Sequence, residues 1–196
     1  MSYIGKTPTA VPLTSSDITN GIITTAKIAD DAISAAKLAA GVGGKILQVV
    51  IAKETATRST TSSSFADTVG LSVAITPASS SNKILWSFHC YGGNSNAYGK
   101  MKIVYGDGSE LNTQAIGDAR GNRIRDTIGG IYAGNDVGKH WSAQGLDSPN
   151  TSSAITYKLQ WLTPNGALYL NRRNYDADDS TSDTGHSSLT LMEISA

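Results

Sequence analysis

Three observations predict an all-β chain: its composition, a side-chain period of two over most of its length, and turn signals between the alternating runs. Ser and Thr supply about a fifth of the 196 residues, Gly supplies 20, and Glu occurs only at Glu54, Glu110 and Glu193. That balance disfavours helices and suits strands joined by many turns. From Lys45 onward apolar and polar residues alternate, as strands with one face on a core require. The predicted head, residues 45–196, is a jelly-roll-like antiparallel β-sandwich of eight to ten short strands.

The segments before the head read differently. Residues 1–12 are an extended lead punctuated by Pro8 and Pro12. Residues 13–44 hold a ten-residue repeat and end in a hinge of Gly41, Gly43 and Gly44. Leu13, Ile18, Ile23, Ile28, Ile33 and Leu38 recur at a spacing of five. Five residues of helix turn through about 500°, so these aliphatics draw no stripe on a helix. On a strand an odd spacing sends successive side chains to opposite faces. Short turns alternating with extended steps fit the spacing. One copy has too few aliphatics to bury a core alone, so the repeat predicts several copies sharing one core around an axis. The competing reading is a single amphipathic helix over Thr24–Ala39, which is rich in Ala and Lys.

Within the head, Lys45–Lys53 is apolar on both faces, which predicts a central strand. Leu71, Val73 and Ile75 alternate with small residues, and Pro77 closes that strand. Ile84, Trp86, Phe88 and Cys90 share one face of the next, with Leu85, Ser87, His89 and Tyr91 on the other. Met101, Ile103 and Tyr105 lead to an Asp107–Gly108 turn. Ile155, Tyr157, Leu159 and Trp161 lead through Thr163-Pro164-Asn165-Gly166 to Leu168 and Leu170, a predicted hairpin. Leu189–Ile194 is the last strand. First and last strands apolar on both faces are expected side by side in mid-sheet, or against neighbouring subunits.

Equal numbers of basic and acidic residues give no reason to expect nucleic acid or an anionic membrane as partner. The opening residues carry no signal-peptide run and no stretch reaches the ~18 apolar residues of a membrane helix, so synthesis in the cytosol without general secretion is expected. A single Cys90 excludes an internal disulfide framework.

Candidate chemistry is sparse. His89, His140 and His186 lie on different segments without HxH or HExxH spacing, so no zinc site is expected. Asp176, Asp178, Asp179 and Asp183 crowd one turn-rich segment; they form a weak calcium candidate beside the plainer reading of a solvated acidic loop. No second acid accompanies them as glycoside hydrolysis needs, so no enzyme activity and no cofactor are expected. Arg120, Arg123 and Arg125 either grip acidic groups or pair structurally with Asp118, Asp126 or a neighbouring subunit. Tyr98, Tyr132, Asn135 and Trp141 lie in Gly/Asn-rich segments, where rings stack on sugars and amides bond hydroxyls, or where rings simply pin loops.

The opening MSYIGKTPT and the decads ITTAKIADDAISAAKLA resemble the N-terminal part of phage tail-fibre and related virion-fibre proteins, particularly of phages infecting marine bacteria and cyanobacteria. KILQVVIAKETATRSTTSSSFADTVGLSVAITPASSSNKIL, GDARGNRIR, LDSP, TYKLQW and LTLMEI are similar to a terminal domain of such proteins, so the likeness spans nearly the whole chain. It implies a homotrimer in the virion, released by lysis. Residues 1–12, with Tyr3, Ile4, Lys6 and Pro8, would dock on a tail or capsid protein. The repeat would form the stalk, and the head would contact a host-surface glycan. The alternatives are a decoration protein without a receptor and a polysaccharide depolymerase.

Overall fold

The computed structural model describes residues 14, 23–24, 28, 45–95, 98–132 and 137–196. The chain divides into two units, Met1–Gly44 and Lys45–Ala196, where the periodicity changes. Tyr3, Ile4, Lys6 and Pro8 lie outside the described residues, as do Leu13, Ile18, Ile33 and Leu38 of the ladder. Ile23 and Ile28 are described and are exposed in the single chain.

The described part of the head is all β and antiparallel. Its strands are β1 (Ile46–Glu54), β2 (Arg58–Thr60), β3 (Ala66–Ile75), β4 (Lys83–Asn94), β5 (Gly99–Tyr105), β6 (Ile128–Ile131), β7 (Lys139–Asp147), β8 (Ile155–Leu162), β9 (Leu168–Leu170) and β10 (Ser187–Ile194). A six-stranded sheet runs β1-β10-β4-β9-β2, with β7 also paired to β4. A four-stranded sheet runs β3-β8-β5-β6. Between them lies a core that the alternation in the sequence specifies: Ile84, Trp86, Phe88, Cys90, Leu189 and Leu191 from one sheet meet Leu71, Met101, Ile103, Tyr157, Leu159 and Trp161 from the other.

Two buried carboxylates organise the polar part of this interior. Asp147, fully buried on β7, accepts hydrogen bonds from Tyr105 Oη (2.6 Å), Tyr157 Oη (2.7 Å) and the Thr113 amide (2.9 Å). It thereby ties one sheet to the other. Burial and this carboxylate together raise both phenols well above their ordinary pKa. Glu193 on β10 accepts from Asn82 Nδ2 (2.5 Å), Gln48 Nε2 (2.6 Å) and the Ala78 amide (2.7 Å). Burial alone would raise the Glu193 pKa; these three donors outweigh it and hold it below the ordinary value.

Three sequence expectations change here. First, β1 is an edge strand and not a central one. It does lie beside β10, but Leu47, Val49 and Ile51 project from the outer side of the sheet into solvent. Second, Ile155–Leu162 and Leu168–Leu170 form no hairpin: β8 belongs to the four-stranded sheet and β9 to the six-stranded one. The turn crosses the sandwich at a point where Gly166 (φ +67°) lies so close to the Ser95 carbonyl that any Cβ would collide with it. Third, the arginines of the GDARGNRIRD loop do not take the predicted partners. Arg125 donates to the Gly117 carbonyl (2.7 Å) and forks onto Glu110 (2.8 and 3.2 Å), rather than onto the Asp118 or Asp126 that adjacency suggested. Asp126 instead pairs with Lys100 at 3.0 Å.

Candidate functional sites

The outer side of the six-stranded sheet holds the features that the fold itself leaves unexplained. Its register sets Val49 opposite Met192, Met192 opposite Leu85, and Leu85 opposite Leu146. Side chains directly opposite on one face of a sheet are in contact range. The result is an apolar row across four strands, flanked by Leu47 and Ile51; Val49 is 55% and Ile51 60% exposed. The next row inward is Ile51, Thr190, Ser87 and Gln144, and the one after it is Lys53, Ser188, His89 and Ser142. The small hydroxylic side chains of these rows leave a shallow depression of about 520 Å³ over Ser87, His89, Ser142, Gln144 and Ser188.

Beyond it, three segments far apart in sequence bring the chain's three histidines together. His140 on β7 is diagonal to His89 on β4, and its Nδ1 lies 3.1 Å from His89 Nε2. Their ring centres are 4.9 Å apart. His186, just before β10, reaches in from the other side, its ring centre 6.1 Å from that of His89. Burial first, then the neighbouring charges of His140 and His186, lower the His89 pKa below the ordinary imidazole value. Sequence spacing missed this group because the three residues meet only through strand pairing. The one local hint was that His89 and Tyr91 share the face of β4 turned away from the core.

Tyr91 completes the cluster. It is directly opposite His140, with ring centres 5.0 Å apart. It is only 6% exposed, and its hydroxyl has no hydrogen-bond partner. Burial, and secondly the charge of Asp183, raise its pKa. Gly138 and Gly185 make room for the ring: a Cβ at either position would collide with it. Tyr91, His140, Asp183 and Thr184 with these glycines line a cleft of about 350 Å³.

The residues predicted to bind sugar separate into two groups. Tyr98 and Tyr132 do come together, at 5.6 Å between ring centres and a 37° tilt, and both are exposed. Trp141 is not on a loop. It lies on β7 opposite the buried Cys90 and packs half-buried against the core. Asn135 lies outside the described residues. Trp86 and Trp161 are core residues, as expected. Cys90 is fully buried, and burial pushes its thiol up to about 12, which makes it unreactive.

The carboxylates of the acidic segment do not act together, and Asp178 is simply exposed. Asp176 faces Arg172 at 3.5 Å, Asp179 accepts from the Thr181 amide and hydroxyl (2.8 and 2.7 Å), and Asp183 lies by Tyr91. Among the described residues no three His, Cys, Asp or Glu side chains are gathered round a common point. No helix among the described residues is long and apolar enough to cross a membrane.

Comparison with known proteins adds no family. No protein-family model matches the chain, and no curated protein sequence matches it.

Proposed function

We propose that this chain is the subunit of a homotrimeric virion fibre or tail decoration, and that it works by binding rather than by chemistry. The observation that carries this reading is the unfinished apolar surface of a single copy. The outer row of Val49, Met192, Leu85 and Leu146 is uncovered, and so are Ile23 and Ile28 of the repeat. An apolar surface of this kind marks a contact, and a ten-residue repeat with too few aliphatics for its own core points to identical copies as the occupant. The likeness of the N-terminal decads to virion fibres supports the same assembly.

In this reading the head is a jelly roll. Setting aside the short β2 and β9, the strand orders β1-β10-β4-β7 and β3-β8-β5-β6 are those that two interlocked Greek keys produce. Residues 1–12 dock on a tail or capsid protein, the repeat forms the stalk, and the head faces the host. The exposed Tyr98–Tyr132 pair is the contact for a host glycan, weak in each copy and strengthened by avidity across three copies.

Sedimentation of the purified chain tests the assembly: three chains are expected, and a monomer at micromolar concentration overturns it. Immunogold labelling of intact particles tests the location, with label expected on the tail or capsid surface. Replacing Tyr98 and Tyr132 by Ser is expected to abolish binding to host cells without changing the sedimenting mass.

A further inference from the structure

Three strands of the six-stranded sheet turn a block of uncharged polar groups outward. The register sets Thr190, Ser87 and Gln144 in one row across β10, β4 and β7, and Ser188, His89 and Ser142 in the next. A third row sets Tyr91 opposite His140, with the His186 ring centre 6.1 Å from that of His89. On these three strands the rows hold no aliphatic side chain and no Lys, Arg, Asp or Glu; Ile51 and Lys53 stand one strand further out, on β1. The outer face of the other sheet is made differently, with Lys–Asp pairs.

The block is also hollow. Ser87 and His89 on the middle strand are half-buried, whereas Ser142 and Gln144 beside them are exposed, so β4 is the floor of a trough and β7 one wall. The depression of about 520 Å³ lies over the first two rows and the cleft of about 350 Å³ lies at the third. His89 lines the first and His140 the second, and their hydrogen bond of 3.1 Å joins the two linings. At the rise of a strand, Ser87 to Tyr91 spans about 13 Å, which is room for a short oligosaccharide. In the cleft, the Tyr91 hydroxyl is buried without a hydrogen-bond partner. Buried polar groups are normally satisfied, so this hydroxyl is one that a bound ligand, or a water the ligand holds, can complete.

We infer that the trough over β10, β4 and β7 binds a neutral oligosaccharide, and that it is a site separate from the Tyr98–Tyr132 pair. Hydroxyls, a carboxamide and neutral imidazoles each both donate and accept hydrogen bonds, and so do the hydroxyls of a sugar. An anionic ligand would need the Lys or Arg that these rows lack, and an apolar one would need the aliphatics they also lack. The exposed rings of His140 and His186 offer an apolar body to the C–H side of a pyranose. Asp183, in the lining of the cleft, adds a carboxylate that can accept two sugar hydroxyls at once. All these residues come from one copy, so the site does not rest on the assembly reading.

Saturation-transfer NMR on the full chain tests this, with maltotriose, mannotriose and chitotriose as neutral probes and trigalacturonic acid as the acidic one. Saturable binding of at least one neutral trisaccharide is expected, and none of the acidic one. Ser142→Ala and Gln144→Ala are each expected to weaken binding by up to about tenfold, the worth of one hydrogen bond. Both side chains are exposed, so the two variants should melt like the parent. Ser87→Leu fills the floor of the trough and is expected to abolish binding; Leu85 already occupies the preceding outward position of β4. Tyr98→Ser with Tyr132→Ser should leave trisaccharide binding unchanged, which separates this site from the aromatic pair. Three results overturn the inference: no saturable binding of any neutral trisaccharide, tighter binding of trigalacturonic acid than of the neutral probes, or binding that survives the trough variants and is lost with the two tyrosines.

Discussion

The two outer faces of the sandwich are built from opposite materials. On the four-stranded sheet, Lys158 reaches Asp67 at 2.8 Å, Gln160 donates to the same carboxylate, Lys100 pairs with Asp126, and Lys102 lies 4.5 Å over the ring of Phe65. These charges find partners within the chain, with water beyond them. On the six-stranded sheet, the outward rows are Val49, Met192, Leu85 and Leu146, then hydroxyls, then histidines. One face is finished by its own residues and the other is not. The same strand periodicity and the same core serve both, so the difference lies in the outward-facing residues alone.

The strongest way to break this contrast is to give the unfinished face the charges of the finished one. If the proposed trimer forms through this face, Val49→Asp with Leu85→Asp is expected to convert it to monomers. Each buried aliphatic is worth about 1.5–3 kcal/mol, so two lost per chain weaken association by about a hundredfold or more. The folded head should survive, because Val49 is exposed and Leu85 half-buried in the single copy. Sedimentation reads the mass and circular dichroism reads the fold; an unchanged mass would remove the outer row from the interface.

A change between the faces should behave in the opposite way. Asp147→Ala leaves the hydroxyls of Tyr105 and Tyr157 and the Thr113 amide without their acceptor. A destabilisation of about 3 kcal/mol is expected. It should appear as a lower denaturant midpoint, with the same sedimenting mass under native conditions.

The contrast between faces also shows what the sequence could reveal. Period-two alternation was enough for the core, since Ile84 through Cys90 and Tyr157 through Trp161 declare their inward faces locally. It also read the apolar character of both faces of Lys45–Lys53. It could not tell a strand covered on both faces within its sheet from an edge strand with an apolar outer face, and so it left β1 either in mid-sheet or against a neighbouring subunit. Hairpin logic failed at Thr163–Gly166 because a tight turn specifies reversal but not the sheet to which the chain returns. The histidine cluster was invisible for the same reason: register across β4, β7 and β10 depends on long-range pairing. Composition singled out Tyr98 and Tyr132, whose rings the fold brings within 5.6 Å, but it misplaced Trp141, because a Gly/Asn-rich flank does not show where the next strand begins.

Acidification separates the groups by range. The pKa of His89 is lowered in the fold, so the unfolded chain binds its proton more tightly. Stability should be full above the ordinary imidazole value near 6.5 and fall as pH drops through the lowered folded value. His89→Gln should flatten that slope in a series of thermal melts between neutral and mildly acidic pH. Glu193, also lowered, should act in a separate and more acidic range, below the ordinary carboxylate value. A single transition that His89→Gln leaves unchanged would assign the loss to carboxylates alone.

The smallest expected effect tests the finished face. Lys158→Met removes the pair with Asp67, whose carboxylate is largely exposed and still accepts from Gln160. Hydrogen bonds from Lys158 and then Gln160 hold the Asp67 pKa below its ordinary value, yet exposed pairs of this kind contribute only about 0–1 kcal/mol. The denaturant midpoint should therefore barely move and the sedimenting mass should not change. If a trimer does form and Lys158→Met dissociates it, the four-stranded sheet is the contact face and the contrast between the two faces is inverted.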